Sequence, residues 1–249
     1  GTLGVITKII LKLIPLPKVT IDLLALFTTL DEAIAAIPGV MTHSGTLPTA
    51  IEFMSPYAVQ VSAKYLNEEL PLDKAGGLLL IEVDGSSEEE LIPVYEAIGE
   101  GCEKGGAFEV YVAPTATTQE RMWALRRNIA EALMTVSPVQ TSQDVVVPIS
   151  RIPDLMHALD EVAGQYDVLF PAYGHAGDGN VHIRIIKKPE MSMERWNEIE
   201  TELLTALFMA VTDLGGTISG EHGIGMKKKK YIRMALDENI LALSRGIKK

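Results

Sequence analysis

The chain has 249 residues, 47% hydrophobic and 22% charged, enough to bury one sizeable core or two smaller ones. A net charge of −11 and a pI near 5.0 exclude broad binding to nucleic acid or to an anionic membrane surface. The single cysteine, Cys102, excludes an internal disulfide and suits a reducing compartment, expected to be the cytoplasm; no apolar run is long enough to span a bilayer.

The opening stretch GTLGVITKIILKLIPLP at 1–17 alternates apolar and polar positions before Pro15 and Pro17, and predicts a strand running into a linker. It shows neither an initiator Met nor a signal peptide, and the chain stops at Lys248 and Lys249 inside a helical pattern, so it reads as a fragment of a longer protein. A strand is predicted at 19–28, a short helix at 30–37, a strand at 49–54 and a helix at 56–69. The continuous apolar run at 77–84 predicts a central strand. Two serines and three glutamates then open a helix over 86–105 with good N-cap and first-turn chemistry. A strand at 107–113, one long helix at 117–134, a strand at 144–148 and a helix at 150–165 follow. Two strands, 167–173 and 180–186, flank a tight turn. A long helix at 190–214 closes on Gly215 and Gly216. Residues 215–225 are glycine-rich, and helix returns over 226–249. The hairpin breaks a strand–helix rhythm, so the fold expected is α+β: a largely antiparallel sheet flanked by helices, with ferredoxin-like units.

The turn carries the first unusual motif, YGHAGDGNVH at 173–182. Only five histidines occur in the chain, and two of them flank this turn. With Asp178 and Gly179 as the central pair of a two-residue turn, His175 faces His182, with Cβ atoms ~5 Å apart. Both imidazoles could then reach one ion at ~2 Å. Val181, Ile183 and Ile185 fall on a core face, His182 and Arg184 on a polar one. The alternative is two histidines in a surface turn with no shared ligand. The second motif is GGTISGEHGIG at 215–225, where the excess of glycine implies close backbone approach or positive φ. Glu221 there could supply a carboxylate ligand and His222 a general base. A flexible interhelical loop and a phosphate cradle are the rivals; the spacing fits neither G-x-G-x-x-G nor a Walker pattern. Lys227 to Lys230 read as a solvated face, with phosphate binding as the weaker reading.

Taken together, GHAGDGNVH at 174–182 and GEHGIG at 220–225 resemble the C-terminal half of FAD-linked 2-hydroxyacid dehydrogenases, the glycolate oxidase FAD-subunit and D-lactate dehydrogenase group of the vanillyl-alcohol-oxidase-like flavoproteins. GTLGVIT at 1–7, AIEFM at 50–54, MWALR at 122–126 and DVVVP at 144–148 match in order and are weak singly. The resemblance implies a cap domain over the flavin of a missing FAD-binding domain. Residues 1–17 are then the end of that domain, 18–214 the cap, and 215–249 the glycine-rich catalytic loop and a C-terminal helical segment. It also implies a divalent ion (Zn, Mn or Fe) on His175, His182 and Glu221, and His222 as the base that takes the hydroxyl proton. Arg126 would pair with the substrate carboxylate, its alternative being a helix-surface arginine. Gly1, Thr2, Gly4 and Ile6 would be a remnant of the flavin contact. The implied substrate is a small D-2-hydroxy acid of the lactate or glycolate class. The implied electron acceptor is an iron–sulfur subunit, an electron-transferring flavoprotein or a quinone; homo-oligomerisation is left open. Without the family, a metal-dependent hydrolase and a non-catalytic ferredoxin-like binding or oligomerisation module are the competing readings.

Overall fold

The computed structural model of the chain describes residues 3–43, 45 and 47–248. In order they form β1 (Val19–Phe27), α1 (Leu30–His43), β2 (Ala50–Met54), α2 (Pro56–Leu66), β3 (Gly77–Gly85), α3 (Glu88–Lys104), β4 (Ala107–Ala113), α4 (Ala116–Arg127) and α5 (Ile129–Val136). Then come β5 (Gln140–Val146), α6 (Ile152–Tyr166), β6 (Val168–Leu169), β7 (Ala172–His175), β8 (Asn180–Lys187), α7 (Met193–Asp213), α8 (Ile232–Ala235) and α9 (Glu238–Ile247). All eight strands join one sheet, in the order β4-β1-β3-β2-β7-β8-β5, with β6 also paired to β8. Each pairing is antiparallel.

Two ferredoxin-like units make this sheet. β1-α1-β2-β3-α3-β4 gives the order β4-β1-β3-β2, with α2 inserted between its second and third strands. β5-α6-β7-β8-α7 repeats the path, with the order β7-β8-β5 running outward from the β2–β7 seam. The second unit has no full fourth strand. The chain after α7 touches the outer edge of β5 by one antiparallel bridge, Thr217 to Val146, and then leaves as the glycine-rich loop.

The sheet separates two apolar layers. Ile21, Leu23, Phe27, Phe53, Leu79 and Ile81 point toward α1, α3, α6 and α7. Leu24, Leu26, Leu78 and Leu80 point the other way, where Val59, Leu125, Ile129 and Leu133 of α2, α4 and α5 cover them. These last helices follow strands of the first unit, so they roof that half, and the same face of β7, β8 and β5 stays open toward the loop.

Several expectations are corrected. Residues 3–17 form no strand; Val5, Ile6, Ile10 and Leu13 stay exposed, and no sheet edge among the described residues pairs with them. Helix α1 runs through Pro38 to His43, because Ile37 and Val40 continue its buried stripe and outweigh one lost backbone bond. The helix expected at 117–134 is two: Asn128, at φ −89° and ψ 0°, breaks it so that Leu125, Ile129 and Leu133 all reach one cluster. Residues 167–173 divide into β6 and β7 around Pro171, which has no amide to give the ladder. The strand expected at 144–148 begins earlier, at Gln140. The C-terminal helix is split into α8 and α9, where Leu236 is extended at φ −124° and the Asp237 carboxylate caps the amides of Asn239 and Ile240.

Candidate metal and active site

Strand pairing places Glu52 of β2, Tyr173 and His175 of β7, His182 and Arg184 of β8 and Asp144 of β5 on the open face. The register differs from the expected one. Tyr173 pairs with His182 and His175 with Asn180, around a four-residue loop, 176–179. The amides of Asp178 and Gly179 donate to the His175 carbonyl, and the Asp178 carboxylate accepts the Asn180 amide. Only Gly179 takes positive φ, +82°, whereas the expected two-residue turn would also force Asp178 there, at a cost that an L-residue avoids. A slip of two residues leaves each side chain on its own face, so His175 and His182 are diagonal neighbours rather than direct partners. Their ring centroids are 5.6 Å apart at 82°.

The glycine-rich loop brings Glu221 to this pair, and one ligand atom from each of His175, His182 and Glu221 lies within 4.8 Å of the others. Bonds of ~2 Å to a common ion put ligand atoms ~3–4 Å apart, so two imidazoles and a carboxylate within 4.8 Å of one another need to close by only about 1 Å to share a divalent metal. Burial first, then the charges of Arg126 and His175, push the His182 imidazole down to about 4, which keeps it neutral and its lone pair available. His222 stacks on His182, ring centroids 5.7 Å apart at 25°. Glu221 and His222 are both exposed toward the open side.

Glu52 is a functional candidate that sequence reasoning missed. Its carboxylate accepts from Arg126 Nε at 2.7 Å and contacts His175 Nδ1 at 2.5 Å. A carboxylate on Nδ1 fixes the proton there and turns Nε2 toward Glu221, whose Oε1 lies 4.0 Å away. The Arg126 guanidinium also lies over the Tyr173 ring, 4.6 Å from its centroid. Arg126 is therefore a half-buried, oriented cation at the edge of the cluster and not a helix-surface arginine; Arg127 points outward to Glu120. The signal for Glu52 was a single acid inside the apolar strand AIEFM, 4% exposed.

Asp144 was noticed only as part of a motif. Burial opposes its ionisation, but amides of His222 and Glu221 and the Lys228 ammonium prevail and hold its carboxyl below the usual range. Lys228, expected in a solvated run, is buried; its ammonium donates to the carbonyls of Asp144 and Ile218. Of the residues assigned to flavin contact, Gly1 and Thr2 lie outside the described residues. Gly4 and Ile6 belong to the exposed 3–17 segment and are not brought to the cluster.

An antiparallel sheet flanked by helices, with one roofed and one open half-face and an imidazole–carboxylate cluster on the open half, defines an open-faced α+β domain. The comparisons place it. The model of the family described as FAD linked oxidases, C-terminal domain, matches residues 16–249, and the chain belongs to that family. It is 33% identical over 253 residues to a D-lactate dehydrogenase of Anaerostipes hadrus, covering all of this chain and 53% of that protein. It is 34% identical over 257 residues to the glycolate oxidase subunit GlcD of Bacillus subtilis (strain 168), covering all of this chain and 52% of that protein. The chain thus spans about half the length of these relatives. Among solved structures, p-cresol methylhydroxylase aligns with a TM-score of 0.61 at 13% identity over 82% of this chain and 46% of that one. An alkyldihydroxyacetonephosphate synthase aligns at 0.60 and 14% over 93% and 42%. Both share the fold. No helix among the described residues is long and apolar enough to cross a membrane.

Proposed function

We propose that this chain is the substrate- and metal-binding part of an FAD-dependent dehydrogenase that oxidises a small D-2-hydroxy acid, of the lactate or glycolate class, to the 2-oxo acid. Residues 1–17 would end the FAD-binding domain, 18–214 would form the cap, and 215–249 would carry the catalytic loop and C-terminal segment. The observation that carries this reading is the convergence of His175, His182 and Glu221 within 4.8 Å, with His222 stacked beside them. These three residues would hold a divalent ion, zinc, manganese or iron, whose charge favours ionisation of a bound hydroxyl. His222 would accept the hydroxyl proton. Arg126, with its Nε fixed by Glu52, would offer its remaining N–H groups to the substrate carboxylate. FAD, with Gly1, Thr2, Gly4 and Ile6 as a minor part of its contacts, would take the hydride. Electrons would then pass to an iron–sulfur subunit, an electron-transferring flavoprotein or a quinone.

The test uses the chain joined to the preceding half that its relatives possess. Anaerobic D-lactate or glycolate should bleach the flavin absorbance, and a chelator or His222→Ala should abolish the bleaching. A flavin-free protein of that length that hydrolyses esters or phosphates would overturn the reading.

A further inference from the structure

In the second ferredoxin-like unit, the segment after α7 occupies the place of the missing fourth strand. It begins as a strand would: Val146 N donates to Thr217 O at 3.0 Å, and Thr217 N to Val146 O at 2.8 Å. Beyond that bridge the ladder stops. From Ser219 onward the Asp144 side chain takes over: its Oδ2 accepts from Ser219 Oγ at 3.2 Å and from the amides of Gly220, Glu221 and His222 at 3.0, 2.9 and 2.9 Å. Three consecutive N–H groups converging on one oxygen form a nest, and bonds to an ionised acceptor are roughly twice as strong as neutral ones. Asp144 is also the ladder partner of His182. One residue thus joins the strand that carries His182 to the loop that carries Glu221 and His222.

We propose that Asp144 is the positioning residue that holds Glu221 and His222 at a fixed distance from His182 and thereby sets the metal affinity of the site. The proposal rests on the metal reading given above. Two further features match it. A Cβ at Gly220 would lie 2.8 Å from Asp144 Oδ1, 2.9 Å from Asn180 Nδ2 and 2.9 Å from Val146 Cγ2, so an added methyl would press directly on the carboxylate that this backbone wraps. Lys228 clamps the same turn from behind, tying the Asp144 carbonyl to the Ile218 carbonyl through one ammonium at 2.8 and 2.7 Å.

The experiment titrates Co2+ into the chain and follows its visible absorption, alongside amide exchange, for wild type, Asp144→Asn and Gly220→Ala. Asp144→Asn keeps the shape and removes the charge; Gly220→Ala keeps every ionisable group and blocks the approach. Both variants should bind Co2+ about 10–100-fold more weakly, the scale of partners that orient metal ligands. Both should lose protection at the amides of 220–222 while those of β8 keep theirs. If Asp144→Asn fails to fold, Gly220→Ala decides by the same readings. Wild-type affinity in a folded variant overturns this proposal and leaves the metal reading standing. A wild-type chain that takes up no Co2+ overturns both.

Discussion

Replacing Glu52 by alanine removes the carboxylate on which Arg126 and His175 converge. The pair with Arg126 is buried, with side-chain exposures of 5% for Glu52 and 12% for Arg126 and a 2.7 Å bond. Truncating one partner of a buried ion pair leaves an uncompensated charge, at ~3–5 kcal/mol. Some of Arg126 remains stabilised by the Tyr173 ring, a contact worth ~0.5–2 kcal/mol. The expected net loss is therefore about 1–4.5 kcal/mol, or roughly 2–18 °C in Tm for a chain of this size. Urea titration of Glu52→Ala, Arg126→Met and the double variant measures it directly. The double variant should lose less than the sum of the singles by about 2 kcal/mol, since the second change removes the charge that the first exposed. Additive losses, or a Glu52→Ala cost under ~0.5 kcal/mol, the range of a surface change, would refute the reasoning.

Two more outcomes follow from the same fold. Burial, reinforced by the charge of Glu82, raises the Asp22 carboxyl from 3.8 to about 6, with Trp123 acting against the shift. The folded chain therefore holds this proton more tightly than the unfolded chain, and stability falls as pH rises from about 4 through 6. Asp22→Asn should raise Tm at pH 7.5 by the equivalent of up to ~3 kcal/mol, with the gain vanishing near pH 4; destabilisation at both values would contradict this. Gly174→Ala would set a Cβ 2.1 Å from the Asn180 carbonyl oxygen across the hairpin. Because that neighbour is backbone, β7 and β8 must separate, and the variant should lose Co2+ binding with His175 and His182 unchanged. A folded variant with normal uptake would show that the hairpin need not be this tight.

Much of this was legible in local chemistry. Alternation in NVHIRII put Val181, Ile183 and Ile185 in the core and His182 and Arg184 on the open face, because side-chain direction depends on parity alone. The same parity carried His175 to the right face although its register was misjudged by two residues. Helix starts were legible where a side chain caps its own helix: Ser87 accepts the Glu90 amide and opens α3 as expected. The break at Asn128 was not legible, since no proline or glycine marks it and the advantage is tertiary, in seating Leu125 and Leu133 together.

The sequence by itself settled the fold class, the strands of the first unit and the residue types of the cluster, since propensity, capping and period act over a few neighbouring residues. Only the tertiary structure decided what stands beside them: Glu52 against His175, 123 positions apart, and Asp144 beneath the loop, 76 to 78 positions away. Such pairings come from the β2–β7 seam and the missing fourth strand, and strand order leaves no mark on the local pattern of any one strand.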